Sequence, residues 1–143
     1  MPNMADSTKI TKISDVVSAN TGDVNSSGVD MSGYEGALFL SSYGTAASDN
    51  ILHIEQSDDD GSSDAYSALT GTDVGAGSSD EDQWLDIYRP LKKWLRCVAE
   101  RGTSTTLENI WVIQYGARNK VVDNTTAGTI HGETHISPIE GTA

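Results

Sequence analysis

Apolar residues alternate with polar ones in several short runs, and that period of two predicts strands rather than helices. Ile10, Ile13, Val16 and Val17 mark a first strand within Lys9–Val17, interrupted by Asp15. Val29 and Met31 alternate with Asp30 and Ser32 in a brief extended piece. Ala37 to Ser42 (ALFLSS) is apolar on both parities, the pattern of a central strand in a sandwich or closed sheet. In Ile51–Gln56, Leu52, Ile54 and Gln56 share one face, and Ile51, His53 and Glu55 share the other. Gly44 and the 46–50 cluster join these two runs, which predicts a hairpin with a long loop. Tyr66, Ala68 and Leu69 predict a further short strand.

The densest apolar stretch is Trp84–Tyr115, which holds all three tryptophans, Trp84, Trp94 and Trp111, and is expected to form the core. Trp84, Tyr88, Leu91, Leu95 and Val98 fall at helical spacing, but Pro90 sits in the middle of that stripe. Inside a helix it removes a backbone bond and clashes with the preceding turn, at a cost of about 3 kcal/mol. Strands are therefore preferred, WLDIY and then LKKWLRCVAE, with a shorter helix starting at Pro90 as the alternative. Asn109–Gly116 (NIWVIQYG) is β-branched and aromatic, and Gly102–Thr106 is expected to join it to the preceding strand as an antiparallel hairpin.

Composition adjusts this picture of one all-β domain. With 143 residues there is room for a single core, and only 36% of them are hydrophobic. Residues 1–8 are polar and read as a flexible N-terminal arm. Residues 9–122 read as the domain, and residues 123–143, with Ile130, Ile136 and Ile139 as isolated apolars, as an extended C-terminal arm. A core this lean suggests further burial against another subunit or a partner. The single cysteine, Cys97, rules out an internal disulfide. The N-terminus lacks the apolar stretch of a signal peptide, and the longest apolar run is four residues, so the expectation is a soluble chain made in the cytoplasm, with no membrane partner.

The formal net charge of −12 argues against nucleic-acid binding. Charge is divided along the chain: residues 1–83 hold fifteen acids and two bases, residues 84–122 three acids and seven bases. Arg89, Lys92, Lys93, Arg96 and Arg101 make the one basic cluster, and pairing with the acidic half of a neighbouring subunit is preferred for it over a nucleic-acid platform.

Candidate chemistry is sparse. His131 and His135 stand four apart, but Gly132 lies between them, no helical pattern surrounds them, and H-E-x-x-H is absent. Aligning Gly61 with the glycine of an EF-hand loop places Gln56 and Ser67 at ligand positions, so Asp58–Asp60 read as a solvated hairpin tip. Cys97 lies in an alternating strand with no base or orienting group at a recognisable spacing. No phosphate loop or nucleophile elbow occurs, and no enzyme, metal or cofactor is expected.

The segments GYEGALFL (33–40), ILHIEQSDDDGSSDAYSAL (51–69), WLDIYRPLKKWLRC (84–97) and NIWVIQYGARNK (109–120) resemble a recurrent small structural protein of tailed bacteriophages. Members of that family are encoded among head genes and decorate or cement the capsid. The resemblance runs from about Asp15 to Val122 and rests on Tyr34–Ala37, Glu55–Asp59, Trp94–Arg96 and Tyr115–Arg118. Relatives often carry proline soon after that last arginine, where this chain has Asn119-Lys120. The resemblance implies a β-sandwich or jelly-roll-like domain with extended arms, trimeric or dimeric, on the outer capsid surface of the virion, holding the major capsid protein. Arg89, Lys92, Lys93, Arg96, Arg101, Ile130, Ile136 and Ile139 are the candidate intersubunit or capsid contacts. Head–tail joining, a tail role, and a carbohydrate-binding module built on the tryptophans are the alternatives.

Overall fold

The computed structural model describes residues 3–46, 49–75, 78–119, 122–137 and 139–142. Lys120, named above, lies outside the described residues, as do residues 47–48 of the expected 46–50 turn, residues 1–2 of the expected N-terminal arm and residues 138 and 143 of the expected C-terminal arm.

A helical turn, α1 (Met4–Ser7), capped by Asn3, precedes twelve strands among the described residues. These are β1 (Lys9–Ser14), β2 (Val17–Asn20), β3 (Val24–Asn25), β4 (Val29–Asp30), β5 (Gly36–Ser42), β6 (Ile51–Ser57), β7 (Ser67–Ala68), β8 (Val74–Gly75), β9 (Asp82–Tyr88), β10 (Trp94–Glu100), β11 (Thr105–Leu107) and β12 (Ile110–Tyr115). The fold is all-β, as the alternation predicts, and the strand reading of 84–100 holds on both sides of Pro90. Two antiparallel sheets stack as a sandwich. One has the order β1-β12-β5-β9, and the other runs β3-β10-β6-β7, with β4 on β10 and β8 on β6; β2 and β11 form a separate ribbon.

Alternation explains the core. Ala37 and Phe39 from β5 and Ile110 and Val112 from β12 point inward to meet Leu52 and Ile54 from β6 and Leu95, Cys97 and Ala99 from β10. Burial of this kind removes roughly 25 cal/mol of transfer cost per Å² of apolar surface. The Cys97 thiol is buried among these side chains, and that burial pushes its pKa up to about 12, the behaviour of a small hydrophobe rather than a nucleophile.

Both expected hairpins are corrected. Residues 37–42 and 51–56 do not pair: β5 lies between β12 and β9, while β6 pairs with β10 in the opposite sheet. Strands 94–100 and 110–115 likewise fall in different sheets. Stacked sheets stand about 10 Å apart, a gap that a connection of eight or nine residues spans easily. Tyr43 fastens the first crossing: it is fully buried, and its hydroxyl lies 3.0 Å from the Ile51 carbonyl and 2.8 Å from that of Glu100 as a shared donor. Asn50 fastens the second, its Oδ1 accepting from the Gly102 N–H (2.6 Å) and the Thr105 hydroxyl (3.1 Å). A buried polar residue thus ties down each crossing through distant main-chain groups, contacts that hydrophobic periodicity does not register. The third expected turn is a true hairpin tip: β6 and β7 pair antiparallel around residues 58–66.

The expected terminal arms meet. Asn124 accepts from the Ile10 N–H at 2.7 Å and donates to the carbonyls of Ala5 and Thr8, and the Val122 N–H reaches the Asp6 carbonyl. Thr126 and Ile130 then close a small turn, beyond which described residues 131–137 and 139–142 are exposed. Among the described residues, no helix is long and apolar enough to cross a membrane.

Candidate functional site

Outward-pointing residues of the four-stranded sheet form rows set by strand register. One row is Lys12, Trp111, Leu40, Trp84; the next is Ile10, Ile113, Leu38, Asp86; a third is Tyr115, Gly36, Tyr88. Trp84 is 64% exposed and Tyr88 55%, and Leu38, Leu40, Trp111, Ile113 and Ile10 are part-exposed. None of the three tryptophans expected in the core belongs to it: Trp84 and Trp111 sit at even and odd positions of strands whose other parity faces the core, and Trp94 is part-exposed on β10. Both parities of β5 and β12 are apolar, and the core has room for only one of them.

Gly36 shapes this face. A side chain there would meet the Tyr115 ring, since a Cβ would lie 2.3 Å from its Cζ and hydroxyl. The missing side chain lets the ring cross β5 so that its hydroxyl donates to Asp86 Oδ1 on β9 at 2.7 Å. Burial of the phenol, and then the adjoining Asp86 carboxylate, push the Tyr115 pKa up to about 12. At the rim, a groove lined by Leu40, Ser42, Asp82, Glu108, Asn109 and Trp111 brings carboxylates and an amide beside an indole.

Of the expected basic cluster, Arg89, Lys92 and Lys93 line one depression together with Arg118, while Arg96 and Arg101 lie elsewhere. Arg96 Nε and Nη2 both reach Glu55 Oε2 at 2.6 Å, and its guanidinium lies 4.4 Å from the centre of the Tyr66 ring. Lys92 bonds Asp64 at 2.6 Å and lies 3.3 Å from Asp58, while Lys93 lies 3.4 Å from Asp30. Arg101 donates to the carbonyls of Gly22, Ser18 and Thr105. Arg89 stacks on Tyr88, 5.0 Å from the ring centre, at a positive φ of 52° that ends β9. Basic residues do meet the acidic first half of the sequence, and they meet it inside one chain.

Lys92 also organises the acidic hairpin tip. Its hydrogen bond, with help from the Asp58 N–H, holds the Asp64 carboxyl below its ordinary pKa. At Asp59, partial desolvation is outweighed by N–H donors from Asp64, Gly61 and Ser63, and that pKa is lowered too. These carboxylates are satisfied by their own loop, and no metal-holding group of three ligands occurs among the described residues. His135 lies 2.9 Å from Glu133 in the exposed tail, and His131 is exposed nearby. Of the expected apolar contacts in the tail, Ile130 is half-buried in the closing turn, whereas Ile136 (97%) and Ile139 (95%) stand in solvent. Sequence reading passed over Leu38, Leu40 and Ile113 as surface residues; the signal present was the double-parity apolar pattern, read there as burial on both faces.

No family model matches the sequence, and no curated protein sequence matches it. The crystal structure of the PBSX exported protein XepA is similar in fold, with a TM-score of 0.55 and 15% sequence identity. The match covers 94% of this chain and 46% of that one, so the chain spans about half the length of XepA.

Proposed function

We propose that this chain is a structural protein of a tailed-phage virion. It binds the outer capsid surface as an oligomer and cements the expanded shell by bridging major capsid protein subunits, with no catalytic step and no cofactor. The observation that carries the reading is the apolar outward face of the four-stranded sheet, with Leu40, Trp111, Ile113 and Leu38 presented side by side. A rigid sandwich that holds such a face out of its own core is built to be covered by something else. Support for a phage setting comes from the sequence resemblance, and the fold is shared with the PBSX exported protein XepA. Ile136 and Ile139 on the tail supply a second contact beyond the sandwich.

Cementing then follows from mass action. A ligand that binds only the expanded shell stabilises it by RT ln(1 + [L]/Kd), about 2.7 kcal/mol per site at a hundredfold excess. Repetition over a lattice makes weak individual contacts sufficient.

The deciding experiment incubates the purified chain with expanded capsids lacking it, sediments the particles and images them by electron microscopy. Lattice-wide density on the outer surface, lost in Trp111→Lys, is the expected result. Density confined to the neck or tail, or no co-sedimentation, overturns the reading. Exposure of Trp84 and Tyr88 favours a second reading, a carbohydrate-binding module in which the rings stack on sugar faces. Protection of tryptophan fluorescence by an oligosaccharide, without capsid binding, would establish it instead.

A further inference from the structure

Strands β1 and β9 are the two edges of the four-stranded sheet, and neither has a strand on its outer side among the described strands. The edges of the other sheet are the two-residue strands β3, β4, β7 and β8, too short to template another chain. The far edge of the four-stranded sheet, β1, is obstructed at two points, where Asn124 takes the Ile10 N–H and the Ser27 N–H takes the Ile13 carbonyl. β9 pairs with β5 alone over seven residues.

Ladder geometry tells which groups of β9 are open. At one end the Arg89 N–H donates to the Glu35 carbonyl (2.8 Å), and at the other the Asp80 N–H donates to the Tyr43 carbonyl (2.9 Å). Odd-numbered residues of β5 therefore direct their main chain toward β9, and in an antiparallel ladder their partners Gln83, Leu85 and Ile87 direct theirs back. The N–H and C=O groups of Trp84, Asp86 and Tyr88 point to the open side. The side chains are uncovered too: Trp84 and Tyr88 are exposed on the outward face, and Leu85 and Ile87 are only partly buried on the inward one.

We infer that β9 pairs antiparallel with β9 of a second copy of this chain, joining two four-stranded sheets into one of eight strands about a two-fold axis. Charge selects the register. Centring on Asp86 sets Asp86 opposite Asp86, and centring on Trp84 sets Asp82 opposite Asp86 twice, like-charge pairs that destabilise a sheet. Centring on Leu85 avoids both, placing Trp84 opposite Asp86 of the second copy and Asp82 opposite its Tyr88, whose ring carries the Arg89 guanidinium. It also leaves Pro90 outside the ladder. An isologous contact through this single edge closes at two copies, so of the trimer and dimer that the sequence resemblance implies it selects the dimer. The pairing does not depend on capsid binding, and the outward faces of both copies stay on one side of the joint sheet.

Analytical ultracentrifugation of the full chain at high micromolar concentration should give twice the 15.2 kDa mass of one chain. Asp86→Pro deletes an N–H on the open side and leaves the β5 ladder intact; it should weaken the dimer by ~tenfold or more. Trp84→Lys keeps every main-chain group and should also yield monomer, which serves if the proline variant misfolds by circular dichroism. Mixing Trp84→Cys with Asp86→Cys chains under oxidation should give the mixed disulfide in preference to either homodimer. A chain that is monomeric throughout, a three-copy mass, or a dimer unaffected by Trp84→Lys overturns the inference.

Discussion

On the outward face of the six-stranded sheet, the Arg96 guanidinium and the Glu55 carboxylate are matched within the chain, while the buried Tyr66 hydroxyl and His53 Nδ1 have no hydrogen-bond partner among the described residues. Arg96 joins Glu55 and covers Tyr66, and His53 stands between Glu55 and Glu100, 3.5 Å from the first and 3.1 Å, without hydrogen-bond alignment, from the second. On the outward face of the four-stranded sheet, indole, phenol and aliphatic side chains lie side by side with Asp86 and Lys12 at their margin. One face spends its charges on itself, and the other leaves apolar surface open to water. Two faces of one sandwich, fed by the same core, thus differ in what they still require. An ion pair is complete once its partner arrives, whereas exposed apolar area gains free energy only when a second surface covers it.

The sharpest contrast lies along a single strand. Phe39 and Leu40 are neighbours on β5, the first buried and the second at the centre of the open face. Phe39→Ala should cost about 3–5 kcal/mol by creating a cavity between the sheets. Leu40→Ser should shift unfolding by less than about 1 kcal/mol in the isolated chain. Urea denaturation of both variants measures the difference, and equal losses would mean that the outward face is covered in the free protein.

Breaking the opposite face should produce an intermediate effect. Arg96→Ala strips Glu55 of its partner at a site where both are mostly sheltered, and uncovers Tyr66. A loss of about 1–2 kcal/mol is expected, recovered in part when Glu55→Gln is added. A double-mutant cycle reads this directly; additive losses would show that the two residues act separately. Trp111→Ser removes a part-buried ring from the open face and should cost about 1–2 kcal/mol by the same assay, while iodide quenching of the remaining tryptophans persists because Trp84 is already exposed.

These contrasts also show where the sequence is legible and where it is not. Strand positions follow from alternation because the side-chain period of two is local: β5, β6, β9, β10 and β12 overlap runs that the pattern marks, although β9 starts two residues before Trp84. Partnership is not local. Tyr43 and Asn50, which carry the chain between sheets, look in sequence like ordinary loop residues, and only their distant acceptors and donors give them meaning. Trp84 and Trp111 read as core because hydrophobicity reports a preference for burial without saying whether the chain or another molecule provides it. The basic segment and the acidic half were visible as complements, but whether they meet within one chain or between two depends on register, such as Arg96 opposite Glu55 on β10 and β6.

The smallest expected effect probes how the open face is held in shape. Gly36→Ala places a methyl where the Tyr115 ring crosses β5, and the ring, being the mobile partner, must swing off Asp86. Global stability should change little, since alanine suits a strand better than glycine. The phenol is the better reporter. Its folded pKa of about 12 exceeds the ordinary value near 10, so the ring's contribution to stability is intact below about pH 10 and is lost as pH rises through about 12. With the ring displaced, tyrosinate absorbance should appear at lower pH in Gly36→Ala than in the parent, and Asp86→Asn should move it the same way by removing the neighbouring charge. Unchanged titration in both variants would mean that the ring never leans on β9, and that the aromatic row across Gly36 is not part of the ordered face.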